Sequence, residues 1–437
     1  MKVFIFTLGT RGDVQPYVAL ARGLMAAGHE AVVCTDDRFR DFIAGQGVAV
    51  AEFNGLMGDL TESAETKEVM EQGGSAGSML RRLPHLMRLS RRLQESVMCD
   101  GWRAAAASGA DLIVYHPKAF GGPHFAEKLG IPAVMAVPLP MLVTTGEFPV
   151  IGFPRLPLGR GYNRFTYGVL ERIMRMISGK HIKRWRREHG MPRAPRRWLE
   201  TATGRAIPVL HAYSGHVGPA PGDWPESAVA TGYWFLDAPG DWQPDAALAA
   251  FLAAGAPPVY VGFGSMSGQR AKARAELVLA ALARAGVRGI LAAGWGGLEA
   301  GAVPATVHLV KEVPHDWLFP RVAAVVHHGG AGTTAAALRA GRPNVICPFI
   351  ADQPFWGWCV AEHGLGPAPI PQRKLTMEKL AVAIRATLDD GAMRARANAM
   401  GEKLRAEHGI AAAIDCLGRA ARGLPVRTGP SNVGPSC

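Results

Sequence analysis

Residues 325–334 read VVHHGGAGTT: an apolar run ends in two histidines, and small residues and two threonines follow. The run AAVV, 323–326, has the length and β-branching of a buried strand. Gly329, Gly330 and Gly332 strip side chains from the place where a helix begins. Backbone N–H groups are then left bare at the positive end of the helix dipole. His328 adds a ring donor, and Thr333 and Thr334 add hydroxyls. A strand, a glycine turn and a helix carrying those groups suit a phosphate. The same residues also suit a tight packing turn with satisfied histidines. Either way the pattern is half of a strand–helix–strand crossover, and it predicts a parallel sheet.

Outward from this stretch the unit repeats. PPVYVGFGSM (257–266), RGILAAGW (288–295), TVHLV (306–310) and PNVICP (343–348) are short apolar strands, each followed by a turn or helix. Nearer the N-terminus, VFIFTL, a turn at 9–12 and a helix ending at Gly28 lead into EAVVCTD. DLIVYHP and IPAVMAVPLP follow in the same rhythm. Two doubly wound α/β domains in tandem are therefore expected, over 1–213 and 246–422. A linker rich in Gly, Pro and Trp is expected at 214–245 and a disordered tail at 423–437. The last helix, near 393–422, is free to pack back on the first domain.

A chain of 437 residues is too long for one core, and 48% hydrophobic with 19% charged residues excludes a disordered protein. No apolar run reaches 18 residues, so no membrane-spanning helix is expected. MKVFIFTLG reads as a first buried strand rather than a leader. Six cysteines without a CxxC or metal spacing suit a reduced, cytoplasmic protein. The net charge of +12 is concentrated: residues 155–197 hold 13 Lys and Arg against Glu171 and Glu188. No nucleic-acid motif accompanies them, so no nucleic-acid partner is expected. A solvated helix face is the default reading of this window, and peripheral contact with anionic lipid is the alternative.

Ligands of open parallel sheets bind at the carboxyl ends of the strands, so the motifs that follow strands matter most. Ser265 in VGFGSMSG offers a hydroxyl to a phosphate or sits in an ordinary loop. Asp352 and Gln353 in PFIADQPFWG pair an acid with an amide, which suits vicinal hydroxyls, although Asp352 also reads as a helix N-cap. Asp13 in GTRGDVQP is an N-cap or a general base. The second role requires burial to raise its pKa above the usual 3.9 or so.

GTRGDVQP, HPKAFGGPHFAEKLGIP, VGFGSM, EVPHDWLFP, HHGGAGTT and DQPFWG together resemble the UDP-sugar-dependent glycosyltransferase family with the GT-B fold. The likeness is closest to its sterol glucosyltransferase branch, then to glycopeptide-antibiotic glycosyltransferases, and runs from residue 1 to about 420. It implies two Rossmann-like parallel-sheet domains facing across a cleft. It also implies transfer of a hexose, glucose from UDP-glucose, to a hydroxyl of a lipophilic acceptor such as a sterol. The transfer would invert the anomeric centre and use no metal or other cofactor. By this resemblance Asp13 accepts the hydroxyl proton, and His328 meets the α-phosphate. Ser265 and the backbone of Gly330, Gly332 and Thr333 hold the rest of the pyrophosphate. Val313 reads the uracil edge, and Trp295 stacks on the base or is a core residue. Asp352 and Gln353 hold the sugar. A helix mouth and an imidazolium would then stabilise the leaving diphosphate. The first domain would take the acceptor, with His116, Lys118, Met141 and the helix at 79–98 as its walls. Position 336 is alanine, where plant relatives carry a ribose-binding glutamate. The resemblance further implies a chain that begins at its catalytic domain. A natural-product aglycone with a UDP- or dTDP-sugar, an epimerase, and an inactive membrane-associated binding protein stay open as alternatives.

Overall fold

Along β1, Lys2–Phe6, side chains alternate between two buried faces. Val3 and Ile5 join one apolar cluster with Val14, Val18 and Leu24 of the helix Arg11–Ala26. Phe6 turns the other way, onto the rings of Phe53 and Phe125. A strand apolar on both faces belongs in a parallel sheet covered by helices on both sides. The computed structural model describes residues 1–53, 76–263, 271–292 and 303–427, with the side chains of 76–90 and 271 left aside.

The chain divides into two units. Among the described residues, the first comprises those up to Leu236 and those from His408, and the second those of Asp237–Glu407. In the first, β1 is joined by β2 (Glu30–Cys34), β3 (Ala49–Ala51), β4 (Leu112–Tyr115), β5 (Ala133–Val137), β6 (Val209–His211) and β7 (Ala228–Ala230). All pair in parallel, in the order β3-β2-β1-β4-β5-β6-β7. The second holds β8 (Val259–Gly262), β9 (Gly289–Ala292), β10 (Val307–Val310), β11 (Ala324–His327) and β12 (Asn344–Ile346). These too are parallel, in the order β10-β9-β8-β11-β12. Strand order therefore reverses between β1 and β4, and again between β8 and β11. In doubly wound sheets these are the points where the carboxyl ends lie open to a ligand.

The domain boundaries differ from those expected. The stretch 214–245 is not a linker throughout: β7 extends the first sheet, and Trp224, Tyr233 and Trp234 are buried. A three-residue strand has no periodicity to betray it, and the tryptophans on either side of it, Trp224 and Trp234, serve the core. The helix expected near 393–422 is two helices, Gly391–Ala406 and Gly409–Ala421. The break at Glu407 and His408 is where the chain returns to the first unit. There the second helix adds Ala413, Leu417 and Ala420 to the β1 core. Of the expected tail, Val426 is buried and the Arg427 guanidinium donates to the Trp224 carbonyl at 3.1 Å, while 428–437 lie outside the described residues.

Gly409 opens the returning helix against bare backbone. A Cβ there would sit 2.4 Å from the Tyr233 carbonyl oxygen and 2.7 Å from the Gly232 carbonyl carbon. Gly418 of the same helix meets nothing nearer than an arginine tip at 3.7 Å. Gly409→Ala is expected to destabilise the chain by about 1–3 kcal/mol through overpacking. Gly418→Ala is expected to be neutral or stabilising by up to about 1 kcal/mol. Urea unfolding of both variants checks the contrast.

Candidate functional site

Asp13 is the third residue of the helix that follows β1. Its carboxylate accepts from the Thr10 N–H at 2.8 Å and the Thr10 hydroxyl at 3.1 Å, a capping arrangement closed by the side chain itself. Gly9 makes room for it: φ is 144°, and a Cβ at that position would lie 2.1 Å from Asp13 Oδ2. From the end of β4, across the first switch point, come His116 and Lys118. Lys118 Nζ pairs with Oδ2 at 2.9 Å. The Lys118 N–H also donates to His116 Nδ1 at 3.2 Å. The proton of the neutral ring therefore sits on Nε2, which faces Asp13 Oδ1 at 3.5 Å. Burial, the largest influence, lowers the His116 pKa to about 4. Burial is also the largest influence on Asp13 and pushes its pKa up. The Lys118 ammonium, His116 and the Thr10 N–H together outweigh it, and the net shift is downward. The rise expected for a general base is thus absent in the resting protein, because a cation and three hydrogen bonds hold the carboxylate ionised. Its side chain is 18% exposed, and Oδ1 is the oxygen without a hydrogen bond among the described residues.

At the second switch point β11 ends in His327 and His328, and the two rings part company. His327 is buried and satisfied: Nε2 meets Asn344 Oδ1 at 2.7 Å, and Nδ1 accepts from the Gly329 N–H at 3.0 Å. Its pKa falls to about 3, chiefly through burial. It is a structural residue that fixes the turn. His328 is only partly covered: its Nδ1 is buried, and its Nε2 lies at the turn, 2.6 Å from where a Cβ on Gly330 would sit. Burial lowers its pKa, with the Gly262 backbone acting in the other direction. The unliganded ring is therefore neutral at pH 7, not the expected imidazolium. Gly329 has φ 92°, and a Cβ there would meet Ile346 at 2.7 Å and the Gln353 carbonyl at 3.0 Å. The helix Ala331–Arg339 begins at Gly330, which has no side chain to cap it. Thr334 turns inward and bonds the Gly330 carbonyl at 2.9 Å. A Cβ at Gly332 would meet no atom within 4 Å. The first-turn N–H groups of such a helix lack intrahelical acceptors and suit an anion.

Asp352 and Gln353 stand at the start of the helix Gln353–Glu362, which follows β12 beside Gly329. Asp352 makes no side-chain cap bond, and its Oδ2 accepts from the Trp356 indole at 3.0 Å. Gln353 Oε1 accepts from the Phe349 and Ile350 N–H groups at 2.7 and 3.2 Å, so its amide NH₂ remains as donor. Val313 lies beyond β10, packed on the core cluster of Tyr260 and Phe319. Met141 follows β5 and borders a small cluster of Phe148, Val150 and Tyr167. His116, expected as an acceptor contact, is enclosed beside Asp13. Ser265 and Trp295 lie outside the described residues. Sequence reasoning missed the Lys118–Asp13 pair, for which a cation two residues after His116 was the available signal. It also missed two non-glycine residues with positive φ, Leu142 at 75° and Ala351 at 59°, each beside an expected binding residue.

Residues 3–146 match the Glycosyltransferase family 28 N-terminal domain, and 276–411 match the Erythromycin biosynthesis protein CIII-like C-terminal domain. The chain is 37% identical over 427 residues to the sterol 3-beta-glucosyltransferase UGT80B1 of Arabidopsis thaliana, covering 96% of this chain and 68% of that one. It is 34% identical over 432 residues to the sterol 3-beta-glucosyltransferase of Glomerella lagenarium, covering 96% of this chain but 28% of the fungal protein. Among solved structures, the glycotransferase of kitacinnamycin aligns over 96% of this chain and 99% of that one, with a TM-score of 0.71 and 19% identity. The glycosyltransferase VinC in complex with dTDP aligns over 97% and 100%, with 0.67 and 20%. At such identity these two show the fold, which is GT-B.

Without Lys118, burial becomes the dominant influence on Asp13. Lys118→Met is expected to raise the Asp13 pKa above the ordinary carboxylate value, as followed by carboxyl-carbon NMR titration. The depressed wild-type pKa contributes stability above the unfolded value of about 3.9, lost as pH falls through the folded pKa. The stability gap between wild type and Lys118→Met should be largest near neutral pH and close on acidification. A gap that does not depend on pH would contradict the assignment.

Proposed function

The chain belongs to the UDP-glycosyltransferase family that holds the sterol 3-beta-glucosyltransferases, and from that premise we propose that it transfers glucose from UDP-glucose to the hydroxyl of a sterol or sterol-like alcohol. One observation carries the donor half of this reading: an uncapped helix mouth at 330–333 with the His328 ring beside it, its Nε2 2.6 Å from where a Cβ on Gly330 would sit. The β-phosphate oxygen gains charge as its bond to the anomeric carbon breaks. Bare N–H groups and a ring that gains a proton more readily beside an anion stabilise that charge. On the acceptor side, Asp13 Oδ1 takes the hydroxyl proton while the oxygen attacks the anomeric carbon in line. A single displacement inverts the anomeric centre. The leaving group is stabilised by the chain's own dipoles, so the proposal requires no metal. The amide of Gln353 and the carboxylate of Asp352 orient the sugar. The curated relatives named above support a sterol-type acceptor over a natural-product aglycone. The reading extends to peripheral contact with an anionic membrane through 155–197, since a lipophilic alcohol is stored in lipid.

Mass-spectrometric screening of UDP- and dTDP-sugars against sterols and aglycones tests the whole reading, with and without EDTA. Transfer from UDP-glucose to a sterol, unaffected by EDTA, is expected. Consumption of no sugar nucleotide with any hydroxyl acceptor would sink it. Asp13→Asn should lower kcat by roughly 10²–10⁴-fold and leave UDP affinity unchanged. Gly332→Leu should leave the thermal midpoint at or above wild type, because a Cβ there meets no atom of the described residues within 4 Å and glycine's helix penalty is removed. It should nevertheless weaken UDP binding tenfold or more, roughly the 1.4 kcal/mol of one lost contact. Unchanged UDP affinity would remove the helix mouth from the site.

A further inference from the structure

The helix Gly159–Glu188 carries nine Lys and Arg against Glu171 and Glu188, and the structure sorts them. Arg186 is buried and forks onto both oxygens of Glu127 at 2.9 Å. Arg160 and Arg164 pair with Asp223 at 2.9 and 3.3 Å, Arg175 with Glu171 at 3.9 Å, and Arg184 with Glu188 at 2.9 Å. Trp185 is buried against Trp102 and Phe125. Arg172, Lys180, Lys183 and Arg187 remain, exposed and without an ion pair among the described residues.

At 3.6 residues per turn these four share one stripe with Phe165, Val169, Ile173 and Met176. The opposite stripe, with Tyr167, Ile182 and Trp185, is the buried one. The outward stripe should then be polar, yet Phe165 is 65% and Met176 77% exposed. Ile173 is exposed as well, and Leu158 continues the row just before the helix. The apolar half leads and the cationic half follows. The helix is anchored at both ends, by the Asp223 cluster and by Arg186–Glu127, so the stripe is a fixed surface.

We infer that the stripe of Phe165, Ile173 and Met176 with Arg172, Lys180, Lys183 and Arg187 is the docking face for a bilayer that carries anionic lipid. This rests on the membrane reading above and narrows it from a 43-residue window to one side of one helix. Charge complementarity alone would equally suit a nucleic acid. Exposed phenylalanine and methionine gain nothing from a phosphate backbone, whereas a membrane interface rewards apolar insertion and cations together. Among the described residues no helix is long and apolar enough to cross a membrane, so the face would lie on the lipid surface.

The full chain, without donor or acceptor, is sedimented with phosphatidylcholine vesicles with and without phosphatidylserine. Binding is expected to need phosphatidylserine and to weaken with salt. Lys180→Ala with Lys183→Ala should weaken it roughly thirtyfold. Phe165→Ser with Met176→Ser should weaken it by tenfold or more. Lys272→Ala with Lys403→Ala, an equal loss of charge elsewhere, should change it less than threefold. Equal binding by stripe and control variants overturns the inference, as does no binding at all. Retention on RNA, or a dimer that Phe165→Ser with Met176→Ser dissociates, also overturns it. Transfer to a detergent-dispersed acceptor, measured separately, should survive all of these substitutions, so failure of docking and failure of the transferase reading are distinguishable.

Discussion

Right-handed crossovers between parallel strands force the chain to leave β1 and β4 toward opposite faces of their sheet, and β8 and β11 likewise. The carboxyl ends between each pair are thereby left uncovered. The candidate groups Asp13 and His328 hang from these two places. Asp13 follows β1 and meets the residues that follow β4, and His328 with its helix mouth follows β11. The strands beneath are buried on both faces, so the groups above them are held in fixed positions. Glycine enters where that fixity demands it. Gly9 leaves space for a carboxylate, and Gly329 turns the chain with φ 92° against Ile346 and Gln353.

The resting electrostatics of the two places run opposite to the needs of the proposed reaction. Asp13 is held ionised by Lys118 and its capping bonds, which makes it a weak base. His328 is held neutral by burial, which makes it a poor counter-ion. Each state is set against burial or by it, and a ligand changes the balance. An arriving diphosphate favours the protonated imidazole, and an apolar acceptor that excludes water sharpens every charge beside Asp13. The half-exposed Lys118 is the adjustable member, since its long side chain can leave Oδ2 without disturbing the buried His116.

Much of the fold was legible because the strands are short, apolar and punctuated by glycine. VVHHGGAGTT alone conveyed a strand, a turn and a helix start, and the structure returns all three. What stayed hidden depends on neighbours distant in sequence. The two histidines look alike in sequence. Only the Asn344 side chain and the Gly329 N–H make one of them structural. Lys118 lies 105 positions from Asp13, so nothing local announces their pairing. The strand Ala228–Ala230 is defined by its place at a sheet edge rather than by its residues. The break before Gly409 likewise reflects a contact with Gly232 and Tyr233 that no helical period encodes.

Strain marks the site independently of charge. A left-handed backbone costs an alanine or a leucine roughly 1–2 kcal/mol, and such residues persist only where their surroundings fix them. Ala351 is fixed by its neighbour: Gln353 reaches back with Oε1 to the Phe349 and Ile350 N–H groups and closes the turn. The expected sugar ligand therefore spends half of its side chain on the loop that presents it. What that side chain has left to offer a ligand is its NH₂ group. Leu142 sits in the segment that borders Phe148 and Tyr167, and the next loop residues are tied through Thr145 and Gly146 to Asp223. Asp223 also receives Arg160 and Arg164, so the strained loop after β5 and the start of the basic helix share one carboxylate. Met141 borders Tyr167 of the same helix, so the loop after β5 meets that helix through an apolar contact as well as through the shared carboxylate.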